Sequence, residues 1–134
     1  MTAYVGAPLL IAEELELLLR VTDLARAGET SQLADAIDSG IPVNLTTAVG
    51  DSLLILAAYH CHLETVEMLI ARGADTERVN DNGQTALGAA TFRRQPEMVR
   101  ALLAAGAGPQ TGARSAQQIA SFFELTEMAE LLAG

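Results

Sequence analysis

His60-Cys61-His62 is the one cluster in this chain whose residue types could do chemistry. Two imidazoles and a thiol are common zinc ligands, and a thiol placed beside bases can be drawn toward its reactive thiolate. The spacing weighs against a metal. Zinc sites take ligands that converge, with two or more residues between the members of a pair and a further ligand from elsewhere, whereas adjacent side chains in a turn diverge. A structural turn is therefore the first reading, a redox-sensitive Cys61 the second and a metal site the third, and neither metal nor cofactor is expected. Glu13-Glu14 and Glu64/Glu67 sit on helical exteriors with no histidine or nucleophile placed against them, so no residue stands out as catalytic. The glycines are scattered one to a turn and make no phosphate-binding loop. The expectation is a non-enzyme.

The elements that would position this cluster are written twice. GDSLLILAAYHCHLETVEMLIARGAD runs from Gly50 to Asp75, and GQTALGAATFRRQPEMVRALLAAGAG from Gly83 to Gly108. Gly50 and Gly83, Leu54 and Leu87, Ala57 and Ala90, Val66 and Val99, Leu69 and Leu102, and Gly73 and Gly106 are each 33 residues apart. Such a period marks a stack of helical hairpins. Ser52 and Thr85 are placed to cap first helices near Leu53–Tyr59 and Ala86–Phe92. Second helices are expected near Leu63–Ala71 and Pro96–Ala104, stopped by Gly73 and Gly106. Asn80–Gly83 reads as a turn.

The flanks are degenerate copies. Gly40 lies 33 residues before Gly73, and Leu33, Ala36 and Ile37 precede Val66, Leu69 and Ile70 by the same step. Met1–Ala7 has no periodic pattern and is expected to fray, Pro8 suits a first helical turn, and Leu9–Ala27 is helical as one element or two. Leu15, Leu18, Leu19, Thr22 and Arg26 mark its face, widened by Leu17, Val21 and Leu24. Gly28 would end it, and Thr30 would cap a helix over Ser31–Asp38. At the other end Ser115-Ala116 matches Thr85-Ala86 at a spacing of 30. One further residue is read as lost from the following turn, which sets Met128 opposite Val99 and Leu131-Leu132 opposite Leu102-Leu103. A shortened last copy is what a capping unit looks like. Residues 1–134 thus read as one domain, with about 1–8 frayed and units near 9–46, 47–79, 80–110 and 111–134.

Half the chain is apolar and the net charge is −9, with eight arginines and no lysine. A surface this acidic argues against nucleic acid. No 18-residue apolar run is present, so no membrane span is expected. The apolar start lacks basic residues and runs into Glu13, Glu14 and Glu16, against a signal peptide. The lone cysteine fits a reducing cytoplasm, and the arginine and alanine usage suggests a bacterial genome.

The chain resembles ankyrin repeat proteins, most closely the small single-domain bacterial type. The family pattern of Gly-x-Thr-Pro-Leu, Ala-Ala, Gly-His, Val, Leu-Leu and Gly-Ala-Asp is met by Gly50-Asp51-Ser52-Leu53-Leu54, Ala57-Ala58, His62, Val66, Leu69-Ile70 and Gly73-Ala74-Asp75. It recurs in Gly83-Gln84-Thr85-Ala86-Leu87, Val99, Leu102-Leu103 and Gly106-Ala107. Leu53 and Ala86 replace the family proline, and Cys61 and Arg94 the glycine between the helices. The resemblance implies an all-α solenoid of two full repeats between degenerate capping repeats, with His62 as a structural tether. It also implies a monomer that binds another protein through a concave groove and its turn tips, near Ala48, Val49, Asp51, Asp81, Asn82 and Gln84. Some small bacterial members are associated with catalase and peroxide defence, which gives the alternative of a redox-linked accessory protein with Cys61 as sensor.

Within that groove the residues just past each first helix's Ala-Ala position are the candidates. They are Arg26, Tyr59, Phe92 and Phe122 in successive units, with Ala27, His60, Arg93 and Phe123 beside them. Four of the five aromatic residues fall in this row. They either cover the seam between repeats or present a binding surface, since aromatic residues with arginine are common interface anchors.

Overall fold

The computed structural model describes residues 12–134. The expected fraying over 1–8, the role of Pro8 and any helix over 9–11 lie outside them. Among the described residues there are eight helices and no strand: α1 (Ala12–Ala27), α2 (Thr30–Asp38), α3 (Leu53–Tyr59), α4 (Leu63–Ala71), α5 (Ala86–Phe92), α6 (Pro96–Ala104), α7 (Ala116–Phe122) and α8 (Thr126–Ala133). The odd-numbered helices pack in sequence as one layer and the even-numbered ones as a second, each odd helix also packing on the even helix that follows it. The result is an all-α solenoid. No described helix is long and apolar enough to cross a membrane.

Helices of seven residues are too short to stand alone. Capping and burial hold them. Ser52 Oγ accepts from the Ile55 amide at 3.1 Å and Thr85 Oγ1 from the Gly88 amide at 3.1 Å, as their positions predict. Ser115 completes a reciprocal cap with Gln118. A cap of this kind is worth about 1 kcal/mol. Burial contributes more: Leu54, Leu87, Val66, Val99, Leu69 and Leu102 are all sealed in one continuous core, each worth about 1.5–3 kcal/mol relative to exposure.

The first hairpin departs from expectation in two ways. α1 is one helix, but only its C-terminal half is covered. Val21, Thr22 and Ala25 are buried, whereas Leu15, Leu17 and Leu19 are exposed. At 1.5 Å per residue the 16 residues of α1 outreach the seven of α3 by more than half their length, so among the described residues its first turns have no neighbour in the layer. Thr30 is also no cap. It is the first residue of α2, and its hydroxyl pairs with that of the fully buried Thr65 at 2.7 Å, tying the first hairpin to α4. His62 makes the companion link, its Nε2 lying 2.8 Å from the Arg26 carbonyl.

The fourth unit is corrected too. No residue is lost between α7 and α8. The Leu125 amide bonds the Ala120 carbonyl just as that of Gln95 bonds Ala90, and Ala129 repeats Val99 in the bond to the residue four before it. The spacing of 30 therefore persists, and Met128 answers Met98, both buried. What preserves the turn is Glu124, whose φ of 55° repeats the 56° of Arg94 and the 66° of Cys61.

These three residues occupy a left-handed backbone conformation that costs non-glycine residues roughly 1–2 kcal/mol. Replacing Cys61, Arg94 or Glu124 by glycine is expected to raise stability by about 1 kcal/mol each, read as a higher urea midpoint at unchanged slope. Gly28 is the converse case. Its φ is 74°, and a Cβ there would meet the His62 ring at 2.5 Å. Gly28→Ala should cost about 2 kcal/mol or more in the natural background. In a His62→Ala background the added cost should fall to about 1 kcal/mol, the conformational part alone. Equal costs in both backgrounds would mean that the imidazole does not constrain this turn.

Candidate functional site

Two columns of equivalent residues and a row of rings run across the first-helix layer. Asp51, Gln84 and Arg114 each immediately precede a capping Ser or Thr and form the wall nearest the turn tips. Leu56, Ala89 and Ile119 form the floor, with Ile55 and Gly88 beside them. Tyr59, His60, Phe92 and Phe123 form the opposite wall. Together with Arg26, Asn80 and Asn82 they enclose a groove of about 540 Å³. The hollow lies where repeat three is small. Gly88-Ala89 stands where repeat two has Ile55-Leu56, and a Cβ on Gly88 would come within 3.3 Å of Ile119 Cδ1.

The aromatic wall is continuous. Tyr59 and Phe92 stack at 6.4 Å between centroids with their planes 7° apart, and Phe92 meets Phe123 edge-on at 5.4 Å. His60 packs edge-on against Tyr59 at 5.4 Å. The row continues through Phe123 rather than through Phe122, the residue in strict register. Phe122 is 80% exposed and meets Phe123 edge-on at 4.9 Å. It lines a second hollow of about 380 Å³ with Arg114, Gln118 and Ile119. The rings do span the seams between repeats, yet Tyr59, Phe92 and Phe123 remain 44%, 43% and 47% exposed. Sealing the seam and presenting a surface are thus not exclusive here.

Arg93 stands beside this wall. Its Nη1 donates to the Tyr59 carbonyl at 2.8 Å while its Cζ lies 5.2 Å over the Tyr59 ring. That carbonyl is the equivalent, one repeat on, of the Arg26 carbonyl bound by His62. The tip residues are organised by Asn80, a buried residue the sequence pattern marked only as turn. Its Nδ2 donates to Asp51 Oδ1 at 2.7 Å and Gln84 Oε1 at 3.1 Å, and its Oδ1 accepts from the amides of Asn82 and Gln84 at 3.0 and 2.9 Å. Asp51, Asn82 and Gln84 are thereby held in place, while Asp81 is linked by its amide to the Val49 carbonyl at 3.0 Å.

His60, Cys61 and His62 do not converge. His60 lies on the aromatic wall, His62 turns to the preceding hairpin, and the Cys61 sulfur faces the Tyr59 carbonyl at 3.9 Å. Among the described residues no group of three or more His, Cys, Asp or Glu is arranged to hold a metal ion. Arg114 and the floor residues were missed by sequence reasoning. Arg114 was findable, because it is one place before Ser115 as Gln84 is before Thr85.

Comparison with known proteins agrees with this architecture. Residues 23–115 match the ankyrin repeats family in three copies. A protein of Pseudomonas aeruginosa strain PAO1, named as an ankyrin repeat protein, is 43% identical over 61 residues, which is 46% of this chain and 36% of that relative. The match thus spans about a third of the relative's length.

Acid should weaken the wall through His60. Partial burial first, then the nearby His62, Arg26 and Arg93, push its pKa below the usual 6.5. The unfolded chain then binds this proton more readily than the folded one, so the contribution is intact above about pH 6.5 and is lost as pH falls through the lower folded value. Urea midpoints should fall between pH 7.5 and 5.5 in the natural chain and fall less in His60→Gln. Parallel pH profiles would show that His60 has no such role.

Proposed function

The chain belongs to the ankyrin repeat family, and from that premise we propose that it is a non-catalytic docking module whose groove receives a segment of another protein. Ankyrin repeats are in general protein–protein interaction modules. The observation that carries the reading is the exposed aromatic wall formed by Tyr59, Phe92 and Phe123, set across a 540 Å³ hollow from turn tips that Asn80 holds rigid. Aromatic residues near half exposure have apolar area left to bury, and a wall fixed in advance loses little entropy when a partner settles on it. Arg93 adds planar donors at the centre of the row. In this reading Tyr59, His60, Phe92, Arg93, Phe122 and Phe123 supply one side of the contact, and Asp51, Asp81, Asn82 and Gln84 the other. The protein needs no cofactor and acts as a monomer.

Phe92→Ala tests this in a paired measurement. Since Phe92 is 43% exposed, its truncation should cost about 1–2 kcal/mol of folding, below the 3–5 kcal/mol of a fully buried ring. Capture of whatever the natural protein retains from its source cell should weaken by about 2 kcal/mol, roughly thirtyfold, as at the centre of an interface. A loss of about 4 kcal/mol of folding would make the row part of the core. Unchanged stability with unchanged capture would remove it from the interface.

A further inference from the structure

The formal charge of the chain is −9, yet the groove is locally basic. Its lining holds Arg26 and Arg114 against a single acid, Asp51, while the lowered pKa of His60 favours its neutral form. Asp51 is engaged by Asn80 at 2.7 Å, and Arg26 by Asp23 at 2.7 Å. The other two cations of this face are not neutralised. Among the described residues Arg114 makes no ion pair, and Arg93 donates only to a neutral carbonyl. Arg114 lines the groove beside Gly88, Ala89 and Phe92, and Arg93 lies outside the lining, over the Tyr59 ring of the aromatic wall. The lowered proton affinity of His60, due after burial to His62, Arg26 and Arg93, agrees with a positive field there.

We infer that the groove takes an acidic peptide segment carrying one bulky apolar side chain. The apolar anchor would fill the hollow over Gly88 and Ala89 against Phe92. Carboxylates on either side of it would reach Arg93 and Arg114, whose guanidinium forks match a carboxylate in two parallel bonds. A basic segment would set its charges against these arginines, and a neutral one would leave them without counter-charge while displacing their water. This inference rests on the docking reading above and adds the chemistry of the occupant.

Selection of random dodecapeptides displayed on phage, against the intact chain, tests it. The enriched peptides should share one aromatic, Leu or Ile residue with Asp or Glu on both sides. Their affinity should fall about tenfold or more with Arg93→Gln and Arg114→Gln combined, the range expected when charge-assisted bonds are lost. Arg114→Gln alone should unfold like the natural chain, because that side chain is exposed and makes no ion pair, and should by itself weaken binding. The double variant also gives up the bond from Arg93 to the Tyr59 carbonyl, so its affinity is read where circular dichroism shows it folded. Binders that lose affinity on Phe92→Ala but are neutral or basic would overturn the acidic assignment and leave the docking reading standing. Binders indifferent to Phe92→Ala, or no enrichment at all, would overturn both. Sedimentation of the protein alone adds a further arm: a dimer abolished by Phe92→Ala would put a second copy in the groove in place of an acidic peptide.

Discussion

The close approach of the first helices is the constraint on which the rest of the structure depends. Ala57, Ala90 and Ala120 occupy one column through α3, α5 and α7 and are essentially inaccessible to solvent. Side chains this small let neighbouring helices lie near the lower end of the usual 8–10 Å packing distance. Tyr59 and Phe92, two residues further along α3 and α5, stack their rings at 6.4 Å across the same approach. A leucine in the alanine column would push the helices apart and open the aromatic wall with them. The surface and the core of this layer are therefore set by the same residues.

Short helices joined by long turns leave many backbone groups without helical partners, and a stack must answer each one. The chain does so with repeated positions but not repeated residues. Asn44 Oδ1 accepts from the Asp75 amide at 2.8 Å, and one repeat later Glu77 Oε2 accepts from the Gly108 amide at 2.9 Å. The carbonyl that closes the first helix is met by the His62 ring in one unit and by the Arg93 guanidinium in the next. The geometry of the acceptor is what persists, and any donor long enough to reach it serves. This is why the two middle units stack alike although their loops share few side chains.

The same logic explains what could be read from the sequence. Ser52, Thr85, Gly73 and Gly106 were legible because each does one job for its own helix, and the local pattern states it. Thr30 misled, since a threonine before an apolar run looks like a cap whether or not a partner such as Thr65 waits on another helix. Glu124 misled in the other direction. A glutamate does not advertise a left-handed turn, so the last hairpin looked one residue short. In the groove, Tyr59 and Phe92 followed from register, but the passage of the row through Phe123 depends on how two adjacent rings lean. Asn80 acts through contacts to residues on both sides of its turn, which no periodicity encodes.

Charge divides the molecule at two length scales. Taken as a whole it is acidic, and the excess lies in residues 1–90, which hold 13 acids and four arginines, whereas residues 91–134 hold four of each. At physiological ionic strength fields from exposed charges fade over about 8 Å, so most of the acidic surface is not felt inside the groove. Arg93 and Arg114 would act on a bound segment at hydrogen-bonding distance, where screening is weak. The overall charge then bears on how often an acidic partner arrives, and the two arginines on how long it stays. The acidic excess has a further consequence for self-association. Two copies approaching one another repel at long range as an acidic partner does, so the choice between them falls to the contacts made inside the groove.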